Sequence, residues 1–463
     1  ANRIPNASAA TILPRTAPTL PVASRPLPRR PRARPGGAGA ATSSGVGQDG
    51  RVRRRPHDTA IVVILAGYGM FGPFSTDTVF PAFASMGADL AASPVALQQI
   101  VSVYLLVYAA FSLFHGPLSD ARGRRPVIAA GLVVYALASV GCALAPNLPV
   151  LLAMRGLQGA GAGASQIIGR AMVRDYFDGS RAQRMMAQIS MIFGLAPAAA
   201  PIVGGWILGW TNWRGIFWFL LAWSLVMLAA TAWLPEPLPP EARREFRVRQ
   251  VFAGLGRVWA NPEGRRLTLI AAVHFAGTFL YISGAPFVVV DLLGGGERDF
   301  WMLFVPIVAG MIGGSWLSGR LAHLPGSRLA SIGYLIGTAG WTINLILALV
   351  PTTHTLPWAV AALPIGTFGM AVTFPILNLA MLELYPADRG AAASVQGFAS
   401  LVIGALNAGL LAPALRGSLA SMAAGSLALF ALAWFGWADH LRRLPGEPPT
   451  TDAPEAYEPL DEL

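Results

Sequence analysis

Two residues carry most of the chemistry this sequence can do. Asp77 and Arg155 each lie inside a long apolar run. A carboxylate takes up and releases a proton, whereas an arginine is a fixed cation. Charged side chains at membrane depth are costly, so they mark proton and substrate pathways. The chemistry on offer is proton exchange, not bond making. The chain has no H-E-x-x-H, G-x-S-x-G or Walker A pattern, and its one cysteine, Cys142, excludes an intrachain disulfide. "GYGMFG" (67–72) imitates a dinucleotide loop, but it sits within an apolar span with no strand before it. No enzyme, metal, cofactor or nucleic-acid partner is expected.

The elements that must hold these two residues follow from composition. Hydrophobic residues make up 54% of the 463-residue chain and charged residues 12%. Soluble domains carry about 25% charged residues. Apolar runs of about 20 residues span a bilayer as helices. Twelve are expected, near 59–83, 96–116, 127–146, 150–171, 185–209, 214–234, 267–290, 300–320, 329–350, 356–381, 391–413 and 417–438. The short alternating strands of a β-barrel are not seen. At 1.5 Å per residue, Asp77 would lie about 9 Å below the outer end of the first span, and Arg155 about 8 Å below the same face. The two could then face each other across the outer part of a cavity.

Arginine placement orients the chain. With the N-terminus inside, every arginine except Arg155, Arg214, Arg298 and Arg416 falls in an inside segment or at the inside end of a span. Both termini are therefore expected in the cytoplasm. Residues 1–58 read as a disordered basic tail, 59–234 as a six-helix half, 235–266 as a cytoplasmic linker, 267–438 as a second six-helix half, and 439–463 as a short acidic tail. In the linker, Val248, Phe252, Leu255 and Trp259 recur at helical spacing, as in a helix lying on the inner surface; a plain connection is the preferred reading.

The stretch "GPLSDARGRRPV" (116–127) joins spans two and three. Gly116 and Gly123 suit closely approaching helix ends and a tight turn. Asp120 could accept from a helix N-terminus or pair with an arginine. Arg122, Arg124 and Arg125 would hold the loop at the surface. "GRLAHLPGSR" follows span eight, and Gly319, Leu321, His323, Gly326 and Arg328 answer to Gly116, Leu118, Asp120, Gly123 and Arg125. The same pattern at the same point in both halves implies an internal repeat.

With this knot stand "LLAMRGLQGAGAG" (151–163), "LAPAAAPIVGG" (195–205), "STDTVFPAFASMGADL" (75–90) and "LELYPADRGAAASVQGF" (382–398). On these motifs, residues 59–438 resemble the major facilitator superfamily, and most closely its Bcr/CflA-type drug:proton antiporters. The resemblance implies an all-α membrane protein of twelve helices in two pseudo-repeated halves. It implies a monomer in the bacterial inner membrane that exports small, mostly apolar compounds against protons by alternating access. It further implies proton coupling and substrate binding at Asp77 and Arg155, a gating latch at Gly116, Asp120, Gly123, Arg124 and Arg125, and a leak seal at Pro197, Pro201, Gly204 and Gly205. The sequence departs from the pattern at Ala121, where the family carries a base. A dedicated metabolite or amino-acid exporter is the alternative with the same fold; a membrane receptor or sensor is the alternative of another class.

Other polar residues within the spans are weaker candidates for a cavity wall. They are Tyr104, Tyr108, Gln158, Gln166 and His274, and, in the later spans, Tyr281, Trp341, Asn378 and Asn407. For any one of them a helix contact serves as well, and His274 is read first as a packed, hydrogen-bonded histidine.

Overall fold

The computed structural model describes residues 58–386 and 388–443; both tails expected from the sequence lie almost wholly outside these. The described residues are helical, with no strand. Among the described residues, eleven helical segments are long and apolar enough to cross a bilayer. The expected fourth span is the twelfth crossing helix, Leu148–Tyr176. Its 29 residues equal the length of the second span, but glycines and charged residues dilute its hydropathy.

Several spans begin on a cap that the sequence spells out. Ser93 accepts from the Ala96 N–H ahead of Pro94–Arg122, Asn147 from Val150 ahead of Leu148–Tyr176, and Asn261 from Glu263 ahead of Pro262–Ser283. Each cap is followed by a proline in the first turn, where no backbone donor is lost.

Two spans are interrupted where the halves correspond. The first consists of Asp58–Gly69, Phe71–Asp77, a short 3-10 turn at Phe80–Ala82, and Phe83–Asp89. The seventh, Pro262–Ser283, continues into a π-helical turn at Phe287–Leu292. The close packing repeats as well. In the third and fourth spans, a Cβ on Gly131 would stand 2.5 Å from that of Ala164 and 2.9 Å from the Gly161 oxygen. In the ninth and tenth, a Cβ on Gly369 would collide with the backbone of Gly337. Backbones this close are how membrane helices associate where burial of apolar area gives no driving force between them.

The linker forms the amphipathic helix Val248–Ala260. It is more than a connection. Phe252 meets Phe114 of the second span edge-on at 6.0 Å, and Arg257 pairs with Asp388 at 3.0 Å ahead of the eleventh. It therefore touches both halves at the end of the bundle that carries the 116–127 knot. That end is called the knot end below, and the other the far end.

Candidate functional site

Asp77 closes the Phe71–Asp77 helix just before the break in the first span and is 3% exposed. Thr76 Oγ1 donates to its Oδ1 at 2.7 Å. Arg155 is fully buried. Its guanidinium donates to Ile100 O at 3.1 Å, Gln158 Oε1 at 2.7 Å and Ser75 O at 2.9 Å, and lies 4.5 Å from the Tyr104 ring centre. Gln158 in turn donates to Ser139 Oγ at 2.7 Å. The network ties the first four spans around one buried cation.

Asp77 and Arg155, expected to face each other across a cavity, form no ion pair with each other. Among the described residues no carboxylate reaches Arg155. Its donors are filled by backbone and amide oxygens instead. Ser75 Oγ meets Tyr135 OH of the third span at 2.6 Å. Asp77 follows two residues later, about 200° round a helix of 3.6 residues per turn, and so leaves on another face. It also lies deeper than expected, because the first span runs on to Asp89.

A cavity of about 560 Å³ opens between the second, fourth, tenth and eleventh spans, in their knot-end halves. Of the expected wall residues, Tyr108, Gln166 and Asn378 line it. Tyr108 donates its hydroxyl to Gln166 Oε1. The others are placed elsewhere. Tyr104 and Gln158 belong to the Arg155 network. His274 bonds Met370 O at 3.0 Å and packs against Tyr334 and Phe430. Tyr281 stacks on Trp341 and accepts from Asn344 at 2.6 Å. Asn407 donates to Ala276 O at 2.7 Å at the start of a second π-helical turn, Asn407–Leu411. These are interior contacts of one half, not walls of this cavity.

Sequence reasoning missed Ser112, Arg170 and Gln396, all lining the cavity. A signal was present. Tyr108 and Ser112, Gln166 and Arg170, and Gln396 and Ser400 are each polar pairs at i, i+4, which share one helix face.

At the far end the two halves are sewn together. Gln98 Nε2 donates to Ser283 O at 3.0 Å, Gln99 Nε2 to Gly409 O at 3.0 Å, and Ser102 Oγ to Ala405 O at 2.9 Å. Phe80 stacks on Phe304 at 6.3 Å. Gly204 and Gly205 were expected to approach a helix, and they approach two different things. A Cβ on Gly204 would collide with the Thr78 carbonyl, at the break beside Asp77. One on Gly205 would stand 2.6 Å from the Glu297 carbonyl, in the loop before the eighth span. Pro197 and Pro201 lie within the continuous helix Gly179–Trp210.

The knot is an arginine-centred cluster. Arg124 pairs with Asp120 at 2.5 Å and with Asp175, at the end of the fourth span, at 2.8 Å. Arg125 donates to Thr231 O at 3.1 Å and Ala232 O at 2.9 Å. Glu236, not foreseen, accepts the backbone N–H groups of Arg124 and Arg125 at 2.8 and 2.9 Å. A carboxylate there caps the third span and meets the positive end of its dipole. Gly123 has φ +97°, which suits glycine alone, whereas a side chain at Gly116 would meet nothing. The expected close approach at Gly116 is thus not seen. Every partner named here belongs to the first six spans or the segment that follows them. Among the described residues, the echo at 319–328 forms no ion pair; Arg320 lies over Trp316 instead, 4.8 Å from its ring.

Comparison with known proteins gives this arrangement its context. Over 370 residues the chain is 30% identical to an uncharacterized MFS-type transporter, YdgK, of Bacillus subtilis, covering 79% of this chain and 88% of that one. It is 28% identical to a bicyclomycin resistance protein homolog of Haemophilus influenzae over 76% of this chain and 89% of that one. In fold it matches the crystal structure of a bacterial homologue of the human lysosomal transporter Spinster, with a TM-score of 0.64 at 17% identity, covering 84% of this chain and 97% of the other. The sequence pattern of the Major Facilitator Superfamily matches residues 59–408. With twelve spans in two repeated halves and a cavity between them, the chain belongs to that superfamily of membrane transporters.

Proposed function

We propose that this protein exports small, mostly apolar drug-like compounds in exchange for protons. The observation that carries this reading is a cavity between the halves that lies on the knot side of a far-end seal, with a buried carboxylate beside that seal. The relative named for bicyclomycin resistance supports drugs as cargo. Arginine placement puts the knot end in the cytoplasm, so this arrangement receives substrate from inside. Both termini then lie in the cytoplasm, and the membrane is the bacterial inner membrane, where the protein acts as a monomer.

Alternating access follows if the far-end contacts part while the knot-end cavity closes. Asp77 is the proton carrier in this reading. It touches the break in the first span, and Gly204 of the fifth span packs on that break. Gaining a proton removes a charge from this contact without breaking an ion pair to Arg155. Arg155 is the fixed cation that holds the first four spans in register. No cofactor enters; the proton gradient supplies the energy.

The test uses purified full-length protein in proteoliposomes with an imposed proton gradient and a compound panel that includes bicyclomycin. Native protein should release protons in step with substrate movement. Asp77→Asn should bind substrate but lose the linked proton flux. Undiminished substrate-linked proton movement in Asp77→Asn would remove Asp77 from the mechanism.

A further inference from the structure

Resting on that transport reading, we propose that the cavity selects uncharged or anionic, acceptor-bearing compounds, and that Arg170 disfavours lipophilic cations. Arg170 is the one charged side chain among the residues lining the cavity, and no carboxylate lines it. Its guanidinium lies over the Phe193 ring, 5.5 Å from the centre, and forms no ion pair among the described residues. Its charge therefore faces the cavity without a neutralising partner. Asp77, the buried acid, is not part of the wall. A cation reaching this site meets the positive charge first, and the intervening protein separates it from the acid.

The donors in the wall point the same way. Gln396 is 6% exposed, and its Nε2 has no hydrogen-bond partner. Arg170 can only donate. Two unused donors on facing spans, four and eleven, suit a carbonyl, nitro, carboxylate or phosphonate oxygen. Phe374, Leu382, Ile167 and Leu401 supply apolar wall for the rest of the molecule. A site of about 560 Å³ with apolar walls and a few fixed polar groups has the make-up of a drug-sized pocket.

The experiment measures binding and export with probes matched in shape and opposite in charge. Tetraphenylborate and tetraphenylphosphonium serve as anion and cation, and chloramphenicol as the neutral acceptor-bearing compound. Binding to the full chain is followed in a non-ionic detergent, and export in proteoliposomes. Native protein should bind the borate and chloramphenicol roughly tenfold or more tightly than the phosphonium, since one charge–charge contact in a partly solvated site is of that order. Arg170→Gln should collapse the borate–phosphonium ratio towards one, and Arg170→Lys should keep it. The native ratio needs no variant, so the inference stays testable if Arg170→Gln folds poorly. A native preference for the phosphonium, or an unchanged ratio in Arg170→Gln, overturns the inference and leaves the transport reading intact. Selective binding without export of any probe overturns the transport reading and leaves the charge selection standing. Failure of all three to bind overturns both.

Discussion

Alanine at position 205 should loosen the far end. The added methyl would stand 2.6 Å from the Glu297 carbonyl oxygen and 3.5 Å from Arg298 Cα. Carbon–oxygen contacts settle at about 3.3 Å or beyond, so the loop must yield by more than half an ångström, and the obstacle is backbone. Overpacking of this kind costs about 1–3 kcal/mol. Glu297 belongs to the other half, so the cost falls only on the arrangement in which the halves meet here. A difference of that size shifts a two-state equilibrium roughly 5- to 150-fold. Gly131→Ala is the control: its methyl collides with Ala164 and the Gly161 carbonyl of the same half, away from the break, so it should lower thermal stability without favouring far-end opening. Spin labels on Pro146→Cys and Thr352→Cys, exposed far-end positions in opposite halves, report the separation when Cys142 is replaced by serine. Double electron–electron resonance should show a new long-distance population in Gly205→Ala and not in Gly131→Ala. An unchanged distance distribution, or equal widening in both variants, would refute the assignment of Gly205 to the seal.

Two further predictions concern the knot end. Glu236→Ala leaves two N–H groups at the start of the third span without their acceptor, and should cost about 1–2 kcal/mol, read as a lower unfolding midpoint in detergent; an unmoved midpoint would show that water replaces the carboxylate freely. Arg257→Ala removes an exposed pair with Asp388, so stability should change by no more than about 1 kcal/mol. A larger loss would show that this pair anchors the linker helix to the second half.

The spans were legible because their length and apolar content are set by the bilayer. The breaks were less so. Pro81 is visible in the sequence, and Pro286 and Pro413 stand beside the π-helical turns at 287–292 and 407–411, but a proline marks an irregular helix without saying which form it takes. Asp77 and Arg155 could be placed at membrane depth, yet their failure to pair could not be read. It depends on rotational phase, and on a span end at 89 instead of 83, a shift of about 9 Å at 1.5 Å per residue. The cavity wall was partly legible. Tyr108, Gln166 and Asn378 were found, whereas Tyr281 and Trp341 proved to stack on each other inside one half. Arg170 was grouped with the arginines that mark the inside face. Helix Leu148–Tyr176 carries it into the wall because the span is longer than its apolar run.

The position of the break in the first span suggests how the parts could act on one another. Coupling between distant sites needs an element with two arrangements that both sites bias. Arg155 reaches this span through the Ser75 carbonyl and holds the helix before the break. Asp77 is the last residue of that helix. Gly204 packs on the carbonyl of Thr78, the next residue, and Gly205 beside it touches the other half. Four consecutive residues of the first span thus join the fixed cation, the titratable acid and, through the fifth span, the seal between the halves. A change in the charge of Asp77 has a short mechanical route to the far end. In this arrangement the knot's Arg124 and Arg125 are tied to Asp120, Asp175 and the carbonyls of Thr231 and Ala232 within their own half, and Asp120 O accepts from the Arg244 N–H of the linker. In the proposed cycle the charge that would bias opening is that of Asp77, the one buried acid among the described residues, while Arg124 and Arg125 hold one half together.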